Sequence, residues 1–324
     1  MTQYRPLAII THPQYLAHDT GGGEHPECAD RLRVIHRQLG KSLLAPFISE
    51  RVAMKATRQD ILAYHEESYL FRLEETALRG QTYIDHRDNQ ICFESFEAIL
   101  LSAGGGLTGI DLLEEQGPDL SFCCVRPPGH HAEKAAALGF CFINNAAVAA
   151  RYWQRCHGRQ KIAIIDWDAH HGNGIQDAFE DDPDVFYISI HEHPTFSFPG
   201  TGYAEEKGLG AGVGATLNIP LPPGADDALF LHVLERYVEP ALDVFRPERL
   251  IVAAGFDGHV LDDMSGLSYS TELFGVIGER MSALAGKHCE GKVLSILEGG
   301  YHLDSLAAGV ERYLLGLAGM RVKE

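Results

Sequence analysis

Two carboxylates, two imidazoles and an amide fall within one short stretch, Asp166-Trp167-Asp168-Ala169-His170-His171-Gly172-Asn173, directly after the apolar run 162–165. A short apolar run bounded by polar residues predicts a buried strand, with the carboxylates emerging at its C-terminal end. Side chains two apart in extended chain point the same way, so Asp168 and His170 can converge on one cation if extension persists that far. Asp257, which follows the apolar run 250–254 and Gly255, is a third candidate ligand. Two carboxylates and one imidazole fill three positions and leave room for water and substrate, the pattern of a catalytic rather than a structural metal. Zinc is the favoured occupant, although oxygen ligands mixed with imidazole also suit Fe(II) or Mn(II).

Two further segments carry groups for proton transfer. Arg126-Pro127-Pro128-Gly129 fixes the backbone just before His130 and His131, a way to aim two imidazoles at one point. After the apolar run 293–297, Glu298-Gly299-Gly300-Tyr301 lets the backbone pass close to a ligand and brings a phenol over the site, where it could donate to a developing oxyanion. Taken singly, each piece has a structural explanation. A His-His pair can be a surface or turn feature, Asp257 can cap the following helix, and Tyr301 can be packing. Buried like charges such as Asp166 and Asp168 otherwise destabilise a fold, which favours a cation there. In conjunction, the runs 122–125, 162–165, 250–254 and 293–297 each deliver a polar group at a C-terminal end, the edge at which open α/β sheets bind ligands.

The elements that must position these groups are readable from periodicity. Helical patterns alternate with the apolar runs over 95–115, 144–157, 225–245, 270–288 and 303–317. Such alternation predicts an α/β fold, a mainly parallel open sheet with right-handed crossovers and flanking helices. Ser270 or Thr271 is placed to cap the fourth helix and Pro247 to close the third. No linker, repeat or composition break divides the 324 residues, so one domain over 1–324 is expected.

Taken together, the motifs resemble the zinc-dependent histone deacetylases. Leu297-Glu298-Gly299-Gly300-Tyr301 and Asn173 are similar to the class II branch and to bacterial histone deacetylase-like amidohydrolases. The other matching segments are Arg126 to His131, Gly139-Phe-Cys-Phe-Ile-Asn-Asn145, Asp166 to Gly174, Phe198-Pro-Gly-Thr-Gly202 and Ala254-Gly-Phe-Asp257. With His25-Pro26-Glu27 near the start, they span nearly the whole chain. The resemblance implies an arginase/deacetylase-like sheet and hydrolysis of the amide of acetyl-lysine, or of a related acyl-lysine or small amide such as an acetylpolyamine. It makes Asp168, His170 and Asp257 the ligands of one zinc, His130 and His131 the proton-handling pair, and Tyr301 the residue that polarises the carbonyl. Asp166 is expected to hold His130, and Asn173 to face His131, where the class I branch has Asp. A neutral amide stabilises imidazolium less than a carboxylate does, so His131 should be the less basic of the pair and the better general base. In the implied reaction His131 takes a proton from the attacking water and returns one to the leaving amine, with His130 as cationic support.

The resemblance also implies a substrate channel. Gly139, Phe140 and Phe198 match the walls of a narrow tunnel for an acyl-lysine stem, where aromatic faces would sandwich methylenes. Met264 matches an apolar gatekeeper at which polyamine-preferring relatives tend to carry Glu, and the segment 85–93 is short. Asp88 is a candidate rim carboxylate. A structural potassium site is implied around Asp166, Asp168, His170, Ser189 and Ile190. Arg31 either lines a cavity behind the zinc or lies on a helix surface.

Composition sets outer bounds. The formal net charge of -18 argues against generic binding to DNA or anionic membranes and favours cationic partners such as basic protein tails or polyamines. Most acidic residues are expected on a solvated surface. Residues 1–6 lack the apolar core of a signal peptide and no run approaches transmembrane length, so a cytoplasmic protein is expected. Seven cysteines without a Cys-x-x-Cys pair fit a reducing compartment, and Cys141 reads as a small packing residue. No motif encodes an oligomeric state. An arginase-like binuclear hydrolase is disfavoured because Asp257-Gly258-His259 lacks the second carboxylate such a centre needs. A non-catalytic binding module is disfavoured because every catalytic position is filled.

Overall fold

The computed structural model describes residues 4–21, 25–115 and 117–320; the first three residues of the leader reading, and both ends of the 1–324 domain, lie outside this range. In chain order the strands are β1 (Leu7–Thr11), β2 (Ile48–Val52), β3 (Tyr83–Ile84), β4 (His86–Gln90), β5 (Leu120–Cys123), β6 (Ile162–Asp166), β7 (Val185–Glu192), β8 (Thr216–Leu221), β9 (Arg249–Ala254) and β10 (Val293–Leu297). Eight of them pair side by side in the order β2-β1-β5-β10-β9-β6-β7-β8, and every pairing is parallel. The remaining two, β3 and β4, form a separate antiparallel hairpin. Every residue of β5, β6, β7, β9 and β10 is buried, which is why such strands read as continuous apolar runs rather than as alternation.

The expected sheet is therefore present and wholly parallel, with strand limits that shift where the chain leaves the ladder. The run 122–125 pairs as Leu120–Cys123, because beyond it the chain turns into Arg126-Pro127-Pro128; Cys124 N–H still reaches the Ile10 carbonyl at 2.9 Å.

The helices are α1 (Asp30–Leu39), α2 (Arg58–Ile61), α3 (Glu67–Leu78), α4 (Ser95–Glu114), α5 (Asn145–His157), α6 (Asn173–Phe179), α7 (Asp227–Val233), α8 (Glu239–Phe245), α9 (Thr271–His288) and α10 (Leu303–Leu317). Two starts are set by side-chain caps. Asn144 accepts the Ala147 N–H at 2.9 Å and Ser270 the Leu273 N–H at 3.2 Å, so both precede the first helical residue. The helix expected over 225–245 is instead two helices joined by a π-helical turn, Leu234–Val238. Pro240 has no N–H for the Arg236 carbonyl, and the wider turn accommodates that missing bond. Asp226, not Ala225, begins α7 by accepting the Leu229 N–H at 3.1 Å.

Helix α4 corrects the expectation that no run approaches membrane-spanning length. Its mean hydropathy of 1.3 over the apolar window is sufficient for a span, but 78% of that window is buried inside the protein. A side chain on Gly104 would overlap the Met54 carbonyl, so α4 packs directly against backbone.

Beneath the C-terminal ends of the strands lies a buried ionic cluster. Glu27 receives Arg126 Nε on Oε1 and Nη2 on Oε2, each at 2.8 Å, and Arg31 Nη1 on Oε1 at 3.2 Å. All three side chains are fully excluded from solvent, which removes the helix-surface alternative for Arg31. Arg126 also donates to the carbonyls of Tyr15 and His18 at 2.7 and 2.6 Å. Arg31 donates to the carbonyl of Gly300 at 2.7 Å and to that of Glu298. Burial alone would raise the Glu27 carboxyl, but the two guanidinium groups outweigh it and hold the group at about 2, below its ordinary 4.5. A depressed folded-state value contributes stability that is present above the ordinary value and lost as pH falls toward the folded one. Stability to urea should therefore decline between pH 4.5 and about 2, by on the order of 3 kcal/mol from this group. Glu27→Gln, which strands two buried cations, should lower stability at neutral pH by about 3–5 kcal/mol and flatten that acid dependence; urea titrations of both proteins across this range check it.

Candidate active site

The neighbouring strands β5, β10, β9 and β6 form the centre of the sheet, so the four polar segments picked out by sequence leave it side by side. One ligating atom each from Asp168, His170 and Asp257 lies within 4.8 Å of the others, and all three residues are buried. His170 Nδ1 stands 3.1 Å from Asp168 Oδ1 and 3.0 Å from Asp257 Oδ2. The opposite nitrogen, Nε2, donates to the Met264 carbonyl at 3.1 Å, so Nδ1 is the nitrogen set between the two carboxylates; against burial, Asp168 and Asp257 raise the ring well above its ordinary value, and a cation bound there would take the place of the Nδ1 proton.

Backbone N–H groups lock the carboxylates. Asp168 accepts from His170 on Oδ1 at 3.0 Å and from Gly299 on Oδ2 at 2.7 Å, while Asp257 Oδ1 accepts from Ala169 at 2.9 Å. This close approach requires glycine: a Cβ on Gly299 would overlap Asp257 Oδ2 and stand 2.6 Å from Asp168 Oδ2. Burial and the adjacent Asp168 push the Asp257 carboxyl up to about 7, against the pull of His170. Two buried carboxylates that resist a second negative charge, with the imidazole Nδ1 set between them, make a donor set suited to a divalent cation such as zinc.

The histidine pair lies with ring centroids 3.9 Å apart, and the two rings differ in environment. His130 Nδ1 is 3.1 Å from Asp166 Oδ2, a carboxylate that also accepts the Tyr187 hydroxyl at 3.1 Å. Burial disfavours a charged His130, but Asp168 and Asp166 outweigh it and raise the ring to about 10. His131 Nδ1 is 2.8 Å from Asn173 Oδ1. The Asn173 amide is oriented by its Nδ2, which donates to Glu133 Oε1 at 2.7 Å and to the His131 carbonyl at 3.3 Å. His131 therefore donates through Nδ1 and keeps Nε2 as an acceptor. Burial first, then the charges of His130 and His170, hold His131 well below the ordinary imidazole range. His131 is thus the less basic of the two rings, through burial and its charged neighbours, while the Asn173 hydrogen bond acts the other way.

Tyr301 follows Gly300, whose φ of +118° no ordinary L side chain adopts readily. The Arg31 guanidinium lies 5.0 Å from the Tyr301 ring centroid. Burial keeps the phenol protonated, raised well above its ordinary value. Its loop is pinned by Asp262, whose Oδ2 accepts the N–H of Tyr301 at 2.6 Å and of His302 at 2.9 Å. The other oxygen of Asp262 accepts the Met264 N–H at 3.2 Å, joining the loop that carries Met264 to the one that carries Tyr301. Glu298 does the same for the histidine loop, accepting from Gly129 at 2.7 Å and His130 at 3.1 Å on Oε2. Sequence reasoning missed both of these roles. An acid at a fixed spacing carries no sign that its partners are loop amides, and only Glu298, followed by Gly299 and Gly300, offered a signal.

The expected channel residues gather around the same point. Gly139, at φ +53°, packs so that a Cβ would stand 2.9 Å from both His131 Cγ and Phe198 Cε1. Phe198 is edge-on to His131 at 5.0 Å between centroids, and Phe140 is edge-on to Tyr301 at 5.8 Å. Phe140 itself is held at φ +67° by its N–H bond to Asn89 Oδ1, 2.9 Å, on β4. Asp88, exposed on the same strand, offers its carbonyl to His25 Nε2 at 3.1 Å. Ser189 pairs with Asp166 across β6 and β7, and Ile190 follows it, so the residues proposed for potassium are neighbours. Cys141 is fully buried behind Gly139 and Phe140.

A buried cation cradle beside an imidazole with a free lone pair is the equipment of a metal-dependent hydrolase, carried here on the arginase/deacetylase fold. The chain belongs to the histone deacetylase family, whose domain matches residues 25–317. It is 38% identical to a probable deacetylase of Archaeoglobus fulgidus over 91% of this chain and 81% of that one. Identity is 34% with a histone deacetylase-like amidohydrolase of Pseudomonas aeruginosa over 87% and 73% of the two chains. A human protein named polyamine deacetylase HDAC10 is 36% identical over 89% of this chain and 44% of its own length. Among solved structures, the HD domain of HDA15 superposes with a TM-score of 0.89 at 33% identity, covering 98% of this chain and 91% of that one. This chain is accordingly a deacetylase or amidohydrolase of that family.

Gly299→Ala tests the cradle. The added methyl should weaken zinc retention by about 10–100-fold, the scale seen when outer contacts of a metal site are lost, with the far-ultraviolet circular dichroism unchanged. Competition with a chromogenic chelator measures it.

Proposed function

We propose that this chain is a zinc-dependent deacylase that hydrolyses the amide of an acyl-lysine side chain or a related small acylated amine. The observation that carries the reading is the placement of His131, its Nδ1 turned to Asn173 Oδ1, beside the Asp168, His170 and Asp257 donor set. Zinc, held by Asp168, His170 and Asp257, would supply Lewis-acid polarisation of the amide carbonyl. His131 takes a proton from the attacking water through Nε2, since burial and the cationic His130 beside it keep that nitrogen free. As the water oxygen bonds to the carbonyl carbon, the protonated Tyr301 phenol donates to the developing oxyanion. His130, cationic against Asp166, stabilises the accumulating negative charge. His131 then passes its proton to the amide nitrogen, the C–N bond breaks, and carboxylate and amine leave. Phe140 and Phe198 hold the methylene stem and exclude water. A structural potassium ion near Asp166, Asp168, His170, Ser189 and Ile190, and a cytoplasmic location, belong to the same reading.

A second substrate class has specific support. The name of the human relative, polyamine deacetylase, and the net charge of -18 both accord with a cationic small amine. Against it, Met264 is apolar where that preference would use an acid to recognise the amine.

Tyr301→Phe should lower turnover by about 100-fold or more while zinc content stays at the wild-type value; wild-type turnover in that variant would remove the phenol from the mechanism. Chelation should abolish turnover and added zinc restore it. Comparison of acetyl-lysine peptide, trifluoroacetyl-lysine peptide and acetylated polyamine as substrates separates the two classes, and polyamine turnover far above both peptides would overturn the preference for acyl-lysine. Met264→Glu should move the ratio toward polyamine.

A further inference from the structure

A second set of ligating side chains lies next to the proposed zinc site, made of residues that are not its ligands, with His130 Nε2 3.8 Å from Asp168 Oδ1. One donor atom each from His130, Cys141 and Glu298 falls within 4.8 Å of the others, and all three residues are buried. Glu298 is completely shielded from solvent, and only its Oε2 is used, by the Gly129 and His130 N–H groups. Its Oε1 has no hydrogen-bond partner among the described residues. An unpartnered carboxyl oxygen in the interior is expensive and calls for a partner. Arg31 does not fill that role: its guanidinium is committed to Glu27 Oε1 and to the Gly300 and Glu298 carbonyls.

We propose that His130, Cys141 and Glu298 form a second, inhibitory site for a thiophilic divalent cation of the Zn2+ or Co2+ type. One imidazole nitrogen, one thiolate and one carboxylate are the mixed donors such ions take, whereas Mg2+ and Ca2+ reject sulfur. Charge balance also fits, because a divalent cation against one thiolate, one carboxylate and a neutral imidazole is locally neutral. Entry of the ion displaces the protons held by the Cys141 sulfur, by the coordinating nitrogen of His130 and by any protonated Glu298 carboxyl, and all of them leave to solvent as the metal bonds form. Burial holds the empty thiol protonated, so the site binds more weakly than the carboxylate-rich cradle and fills second. Occupancy immobilises His130 as a ligand and removes its positive charge from the reaction centre, so excess metal inhibits.

Cobalt distinguishes the two sites without any substrate. When metal-free protein is titrated with Co2+, the first equivalent should enter Asp168, His170 and Asp257 and give only weak visible absorption, since that set contains no sulfur. The second should add an intense near-ultraviolet sulfur-to-cobalt charge-transfer band. Cys141→Ser should abolish the band, with Cys141→Ala as the parallel variant should the buried hydroxyl disturb folding. Glu298→Gln should weaken the second equivalent by about tenfold or more, given that loss of an outer contact alone has effects of that size. Under turnover, excess zinc should inhibit the wild type and spare the Cys141 variants. A wild type with no charge-transfer band, or a band that survives in both Cys141 variants and so belongs to Cys28, Cys92 or Cys156, overturns the proposal. Because the band is read in the absence of substrate, its outcome is independent of whether the deacylase reading holds.

Discussion

One buried carboxylate underlies the geometry of the whole site. Glu27 holds Arg126 through both oxygens and Arg31 through one, and the two guanidinium groups then serve different loops. Arg126 leads directly into the turn that presents His130 and His131, while Arg31 grips the carbonyls on either side of Gly299, in the loop that presents Tyr301. Loops after β5 and β10 are thus fastened from below to the same charge, although their anchors lie 99 and 269 residues away in sequence. A planar guanidinium with its donors in a rigid fork can hold several carbonyls at fixed angles, which lysine could not. Arg31 also lies against the Tyr301 ring, so the anchoring network touches the reaction centre itself.

Much of the site was legible in the sequence because a parallel sheet places loop residues at predictable points. Four apolar runs each ended in a chemically useful group, and strand direction alone put those groups on one edge. What sequence left open was adjacency. The chain order β5, β6, β9, β10 becomes the spatial order β5, β10, β9, β6, and only this order sets Asp168 beside Asp257 and both beside Gly299. Strands β1, β2, β7 and β8 escaped notice for different reasons. The edge strand β2 is exposed from Glu50 onward and β8 contains Pro220, while β1 and β7 carry apolar runs that were simply not singled out. The break between α7 and α8 is a backbone effect of Pro240 that helical periodicity does not register.

The expectation that acidic residues mainly coat the surface misses their most consequential members. Glu27, Asp166, Asp168, Glu192, Asp257, Asp262 and Glu298 are all buried around the site. Loops that leave a sheet lose the partners of their N–H groups, and in a water-poor interior each unsatisfied N–H destabilises the fold. Carboxylates meet this need economically in space, because two oxygens can accept from several neighbouring amides: Asp262 takes three, from two loops, and Glu192 takes the Gly266 N–H on both oxygens. Positioning and catalysis therefore use the same residue type, which is why residue identity could not separate one role from the other.

That double use explains how a cation cradle can exist before a cation arrives. Asp168 and Asp257 repel one another, and burial makes the repulsion stronger. Yet each is already engaged by amide dipoles, Asp168 on both oxygens and Asp257 on the one facing Ala169. A carboxylate oxygen has two lone-pair directions, so an amide that takes one leaves the other aimed inward. The N–H groups lower the charge density that the neighbouring carboxylate feels and fix the direction of the remaining lone pairs. Glycine at 299 is what lets its own amide come close enough to do this, since any side chain there would occupy the space between the ligands. The ligands are ordered by the backbone of β6, β9 and β10 rather than by the ion, and a site ordered in that way binds its cation without first having to fold around it.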